Sequence, residues 1–436
     1  MIIIDYFKKN YGIIIIILIS ILLHLLVLNQ LGIQYNLRSD DLSYVNSGIH
    51  FLNVGEITLR GTMSAQIMPG MTYLIAFFSL IFGEGILLWW GLKILWIIMG
   101  VCSVFGIYKI VTLFTKKLYG CISASFLLVI DFIWMDNLIL TETPFMLAFI
   151  FLIYSTFALI IKKENKYYFH IIIWYFAALL FKGNIAPYPL FLGAYLLLQK
   201  YPWKLLIKQS LIAGLVLSIF FIPWIVRNYK LYDKFIPLTY GVGNPLLLGT
   251  YQGYNYPLDN FQEYKKHADS VMSEEMKSYV YDNNTYKSYK KPYFSLEYDK
   301  IIAEFRMKQW WNNDKISMLK SYLYYKPKIL VRNSFYWDEV FNIPKKAIIN
   351  IRDFDIILTL ISIIVIMFNK KYIKELFFLV GIYLFQIAVY SYTFAFDRYG
   401  QTLYFIRFII IGIGLSLILP KLYKHFKRFL PKFSIK

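Results

Sequence analysis

Cysteine is nearly missing. Cys102 and Cys121 are the only two, both inside apolar segments, so neither a disulfide framework nor a thiolate metal site can be built from them. Histidine is sparse, with five in 436 residues, and neither a His-x-Glu zinc pattern nor a Ser/His/Asp arrangement appears. A glycine-rich phosphate loop is lacking too, which leaves cytoplasmic nucleotide chemistry no place to sit. Acids are outnumbered, 26 against 46 Lys and Arg. In a soluble protein the net charge of +20 would suggest nucleic acid. Here the basic residues come in short stretches between long apolar runs, which is the positive-inside pattern of a membrane protein.

What is abundant is apolar: 58% of residues are hydrophobic and 19% aromatic, incompatible with a soluble single-core domain. Apolar runs of span length cover residues 12–31, 86–114, 118–135, 143–161, 209–226, 353–368, 376–391 and 402–420. The stretch 168–198 reads as two short helices broken at Lys182-Gly183-Asn184, with Gly183 and Pro187 marking the break. About ten spans result, and the fold class predicted is an all-α polytopic helix bundle. With ten spans the basic clusters Lys8-Lys9, Lys116-Lys117, Lys162-Lys163 with Lys166, Lys200 with Lys204 and Lys208, Lys370-Lys371 and the tail Lys421 to Lys432 fall on one face, the cytoplasmic one, together with both termini. The short apolar run Met71 to Phe82 breaks that alternation if it spans, so it reads as an in-plane or re-entrant helix at the outer surface. The organisation expected is a transmembrane core over 1–226 with a first outer loop at 32–85, an extracytoplasmic helical region at 227–352, and C-terminal spans with a basic cytoplasmic tail at 353–436. The region 227–352 exceeds an ordinary connection, which marks it as functional.

On this topology the residues able to do chemistry gather outside. Asp40 and Asp41 follow the first span, at the lipid boundary, and Glu142 in Leu140-Thr141-Glu142-Thr143-Pro144 stands at another outer span end. An acidic pair in a loop is commonly solvated charge, and Glu142 alone would serve as a helix N-terminal acid. Three acids from separate loops could instead converge on one cleft. Asp131 and Asp136 lie just upstream of Glu142, and Asp131, the more buried by sequence, could be either a paired structural acid or a site residue. Among the outer cations, Arg60, Lys182, Arg227 and Arg398 run against the positive-inside trend, and guanidinium forks suit phosphate, although Arg227 and Arg398 could also snorkel to headgroups. Lys93 and His24 fall inside spans, where ionisable groups are costly.

Taken in order, these segments resemble the membrane-embedded family C glycosyltransferases (GT-C fold), which use polyprenyl-phosphate sugars, and in particular the dolichyl-phosphate-mannose protein mannosyltransferases and the bacterial aminoarabinose transferases. The resemblance covers most of 30–250 and 320–405. It rests on Asp40-Asp41 with Tyr44, on Ala65 to Gly70 before an apolar run ending Phe82-Gly83, and on Leu140-Thr141-Glu142 and the break at Lys182. Pro223-Trp224 with Arg227-Asn228-Tyr229, Gly241 to Gly249, and Arg398-Tyr399 continue it. The pair is often Asp-Glu in such enzymes and is Asp40-Asp41 here. The usual paired prolines, preceded in the aminoarabinose group by an acid and a lysine, are Gln66-Ile67-Met68-Pro69, which removes one phosphate or metal contact.

The resemblance implies transfer of a sugar from a polyprenyl-phosphate donor to an acceptor hydroxyl of a glycan, lipid or protein on the extracytoplasmic face, with membrane lipid as the surroundings and no nucleic acid. Asp40 is the expected base. Asp41 and Glu142 would orient it or hold a divalent cation, Mg or Mn. Arg60, Lys182, Arg227 and Arg398 would receive the phosphate, and Tyr44, Asn228 and Tyr399 would contact substrate. Two other readings compete: a lipid-linked polysaccharide polymerase or ligase, which relies more on Arg and His, and a transporter or flippase, which needs ionisable residues near the bilayer midplane.

Overall fold

The structure, a computed structural model, describes residues 2–285 and 288–429. Its helices in chain order begin with α1 (Ile2–Leu31) and α2 (Asp40–Val54), then a hairpin of β1 (Thr58–Leu59) and β2 (Thr62–Met63), then α3 (Gly70–Phe82), α4 (Ile86–Thr112), α5 (Lys117–Ser125) and α6 (Ile130–Met135). There follow α7 (Glu142–Lys162), α8 (Lys166–Phe181), α9 (Tyr188–Leu198) and α10 (Trp203–Tyr232). The stretch 233–344 holds α11 (Gly243–Gly249), α12 (Phe261–Val271), α13 (Glu274–Tyr281), α14 (Lys290–Asn313), α15 (Lys315–Lys320) and α16 (Lys326–Arg332). The chain closes with α17 (Lys345–Asn369), α18 (Ile373–Tyr392), α19 (Asp397–Gln401) and α20 (Tyr404–Phe429), so the end of the basic tail lies outside the described residues.

By length and composition, six helices among the described residues can cross a membrane: α1 from Asn10, α4, α7, α10, α18 and the segment Asp397–Tyr423. Four apolar segments are shorter, Gly70–Phe82, Lys117–Leu128, Lys166–Phe181 and Gly183–Leu198. The run 118–135 is not one continuous helix. It stops in a 3-10 turn at Phe126–Leu128 and restarts after Val129, which is extended. The break puts the buried Asp131 in the first turn of α6, where Arg352 reaches both its oxygens at 2.6 and 2.7 Å. The stretch 168–198 does break at Lys182, whose extended backbone separates α8 from a turn at Gly183–Ile185.

Helix ends sort into two groups. At one, hydrogen bonds join Asn10 to Lys117, Phe114 to Tyr372, Leu198 to Lys374 and Asn369 to Lys421, so the basic ends lie together. At the other, the ends bearing Asp40, Glu142, Lys182 and Arg398 meet. This stretch is not draped loosely beside that end: Tyr232, Tyr240, Met272, Met276, Tyr293 and Phe294 form an apolar cluster with Ile57 and Ala65 of the hairpin segment. Arg306, fully buried on α14, straps residues 250–264 down through Thr250, Asp259 and the Pro257 carbonyl, with its guanidinium 3.9 Å from the Tyr251 ring centre.

Candidate functional site

Two neighbours in sequence do different things here. Asp41 is fully buried, and its carboxylate accepts backbone N–H bonds from Leu37 (2.6 Å), Ser39 (3.1 Å) and Leu42 (2.9 Å). It shapes the turn into α2, whose Ser39 makes no cap bond with its own side chain. Successive helical residues point about 100° apart, so closing that turn with Asp41 swings Asp40 outward.

Asp40 is pinned between two guanidinium groups. Arg398 Nη2 lies 3.1 Å from Oδ2, and Arg60 Nη2 lies 3.2 Å from Oδ1. Arg398 reaches across to Glu142 as well, with Nε 3.3 Å from Oε1, and Lys182 Nζ donates to the same oxygen at 2.8 Å. The sequence-predicted residues from α2, the β1–β2 turn, α7, the α8–α9 break and α19 therefore form one chain of charge, Arg60–Asp40–Arg398–Glu142–Lys182. Aromatic faces enclose it: Tyr399 stacks on Tyr390 with ring centres 4.7 Å apart, and both Lys182 and Arg398 lie over Tyr399. Tyr44 is buried beside the cluster, and burial together with the Asp40 carboxylate pushes its phenol well above the ordinary range. Burial lowers the Lys182 ammonium from its usual range, with Glu142 pulling the other way.

Arg227 and Asn228 are placed elsewhere. Arg227 donates to the carbonyls of Ser64 and Ile57 and to Asn228 Oδ1, and Asn228 donates to the Ile236 carbonyl. They clamp the hairpin onto α10 and lie outside the ion-paired chain of Asp40 and Glu142, where phosphate and substrate contacts were expected of them. A divalent cation on Asp41 and Glu142 does not fit the donors either. Both Asp41 oxygens are taken by backbone N–H groups, and Glu142 is neutralised by two cations and bonded by Thr141. Among the described residues no three His, Cys, Asp or Glu side chains are grouped to hold a metal.

Lys93 and His24 are structural ties: Lys93 donates to the carbonyls of Tyr35 (2.7 Å) and Asn137, and His24 bonds Asp136 (3.2 Å) and the Ser20 carbonyl (2.8 Å). Of the two readings of Asp131 the paired structural acid holds, but sequence reasoning missed its partners and their place beneath Arg398. Asp131, Arg352, Asp355 and Arg407 form a buried network of two acids and two cations. It reaches α19 through Gln401, which donates to the Asp131 carbonyl at 3.1 Å and accepts from Phe335 N at 2.8 Å. An arginine inside the apolar run after Tyr404 was the signal available. α19 also rests directly on α16: a Cβ at Gly400 would lie 2.0 Å from the Leu330 carbonyl oxygen.

Comparison with known proteins agrees with this architecture. Residues 67–226 match the sequence profile of the family Dolichyl-phosphate-mannose-protein mannosyltransferase. No curated protein matches the sequence closely enough to count as a relative. Among solved structures, the oligosaccharyltransferase AglB from Archaeoglobus fulgidus, in complex with an inhibitory peptide and a dolichol-phosphate, superposes with a TM-score of 0.55 at 15% identity, over 98% of this chain and 52% of that one. The apo form of the Archaeoglobus fulgidus oligosaccharyltransferase gives 0.56 at 13% identity, over 97% and 52%. The chain thus spans about half the length of these matches. ArnT from Cupriavidus metallidurans, bound to undecaprenyl phosphate, gives 0.42 at 11% identity over 94% and 78%, too low to bear on the fold. The chain has the fold of the membrane-embedded GT-C glycosyltransferases, with a segment matching the dolichyl-phosphate-mannose-protein mannosyltransferase family.

Proposed function

We propose that the protein is a glycosyltransferase that moves a sugar from a polyprenyl-phosphate donor to an acceptor hydroxyl. The observation that carries this reading is the sharing of Arg398 between Asp40 and Glu142, with Lys182 behind it. A donor whose phosphate is already a good leaving group needs cationic stabilisation more than an acid, and a base is needed only for the incoming hydroxyl. Arg398 and Lys182 supply the first. Asp40 supplies the second: the acceptor hydroxyl gives its proton to an Asp40 oxygen and bonds the anomeric carbon, as the bond from that carbon to the phosphate oxygen breaks and polyprenyl phosphate leaves.

Glu142 holds the two cations together and keeps their charge from repelling within a buried site. Arg398 pairs with the acid that takes the proton and, through Glu142, with Lys182, which joins it in receiving the phosphate; this supports transfer over a transporter. The match of 67–226 to a mannosyltransferase profile supports the same class. The reading is tested by reconstituting the full chain in vesicles with undecaprenyl-phosphate hexoses and measuring release of undecaprenyl phosphate. Release that depends on Asp40 supports it, whereas donor crossing the bilayer unchanged would make the protein a transporter.

A further inference from the structure

A cavity of about 340 Å³ is lined in part by Arg60, the cation paired with Asp40 Oδ1, while Arg398 holds Oδ2. Ser39, Ser43, Asn46 and His50, at helical spacing on one stripe of α2, form its floor, and Thr58 and Arg60 of the hairpin form its wall. Leu42 is the one large apolar side chain in the lining. The volume falls in the range of small-ligand pockets.

We propose that this cavity is the acceptor site and that it takes a sugar residue, so that the acceptor hydroxyl belongs to a carbohydrate; the inference rests on the glycosyl-transfer reading above. Three observations converge on it. The lining is made of hydroxyl, amide, imidazole and guanidinium groups, which match the alternating donors and acceptors of vicinal sugar hydroxyls. The Asn46 side chain is exposed and makes no hydrogen bond among the described residues, and Ser39 makes no cap bond, so both are free for a ligand. Arg60, the group between the cavity and the Asp40 carboxylate, has a side chain 70% exposed. An ion pair that open is weak, so a hydroxyl arriving from the cavity can displace Arg60 from Oδ1 at little cost, while Oδ2 stays on Arg398. The base is thereby reached at Oδ1 by the acceptor and stays paired with Arg398 at Oδ2.

The hairpin argues against an extended peptide in the same place. Peptide capture at a strand edge needs free backbone groups. The Ile57 and Ser64 carbonyls are taken by Arg227, and the Ala65 carbonyl accepts from Tyr240 N at 3.1 Å. Arg227 is on this account a positioning residue that holds the cavity wall.

Saturation-transfer NMR on the detergent-solubilised full chain tests the proposal, with the methyl glycosides of glucose, galactose, mannose and N-acetylglucosamine as probes beside a serine- and threonine-containing hexapeptide. We expect saturation of at least one glycoside and none of the peptide. Asn46→Trp, at an exposed position, removes it. Saturation of no glycoside, saturation unchanged in Asn46→Trp, or saturation of the peptide instead overturns the proposal. Because binding is read without turnover, failure of the acceptor-site inference would leave Asp40-dependent transfer standing, and failure of the transfer reading would leave glycoside binding standing.

Discussion

Replacing Asp41 should weaken the fold while sparing the chemistry, the reverse of what replacing Asp40 should do. The Asp41 carboxylate is fully buried and accepts three backbone N–H bonds. In Asp41→Ala the Ser39 amide, on an exposed residue, is rescued by water, but those of Leu37 and Leu42 are less accessible. A buried donor left without a partner costs about 1–3 kcal/mol, so two of them put the loss at roughly 2–6 kcal/mol, toward the low end because the turn can relax. Asp41→Asn keeps one carbonyl acceptor and should lose less. The assay is thermal unfolding in detergent beside sugar transfer at saturating donor. Asp41→Asn should melt lower than the native protein yet stay within roughly tenfold of its rate, about 1.4 kcal/mol of barrier. An Asp41→Asn protein that melts like the native one and transfers no sugar would refute the division of labour and make Asp41 a participant in the reaction.

Arg398→Lys keeps a charge but loses the fork that reaches Asp40 and Glu142 together, so kcat should fall by about 10²-fold, the scale for removing one preorganised charge donor, with expression retained; a native rate would remove Arg398 from phosphate stabilisation. Gly400→Ala drives a Cβ against the Leu330 carbonyl and should displace α19, lowering kcat without touching a charged group, which turnover beside a melting curve will check. Arg352→Met leaves Asp131 and Asp355 as buried acids short of a partner and should cost about 3–5 kcal/mol, read as loss of folded protein from the membrane fraction. Chelation by EDTA should leave transfer unchanged, since the oxygens of Asp41 and Glu142 are already engaged; restoration of a lost rate by Mn or Mg would contradict this.

How much of this was legible depends on the range of the interaction. The long helices follow from apolar run length, and the break at Lys182 follows from Gly183 and Pro187, because these are local effects. The approach of Asp40, Glu142, Lys182 and Arg398 was accessible because the sidedness of the helix ends restricts which loops can meet. The distinction between Asp40 and Asp41 was not, since it turns on which of two adjacent carboxylates closes a backbone turn. The place of Arg227 on the hairpin was not legible for a related reason: every carbonyl in the chain is a possible acceptor, and nothing local marks those of Ile57 and Ser64. The Asp131–Arg352 pair joins positions 221 residues apart, and only the cost of burying each charge hints that a partner exists.

The central claim, that Asp40 is the base of a sugar transfer, is tested most directly by Asp40→Asn. Its side chain is part-exposed, and the amide keeps the shape and one acceptor oxygen, so folding should survive. With an undecaprenyl-phosphate hexose as donor, release of undecaprenyl phosphate to acceptor should fall by at least about 10²-fold, the low end for a general base, while the protein inserts and melts as the native one does. Transfer at the native rate in that variant would contradict the account.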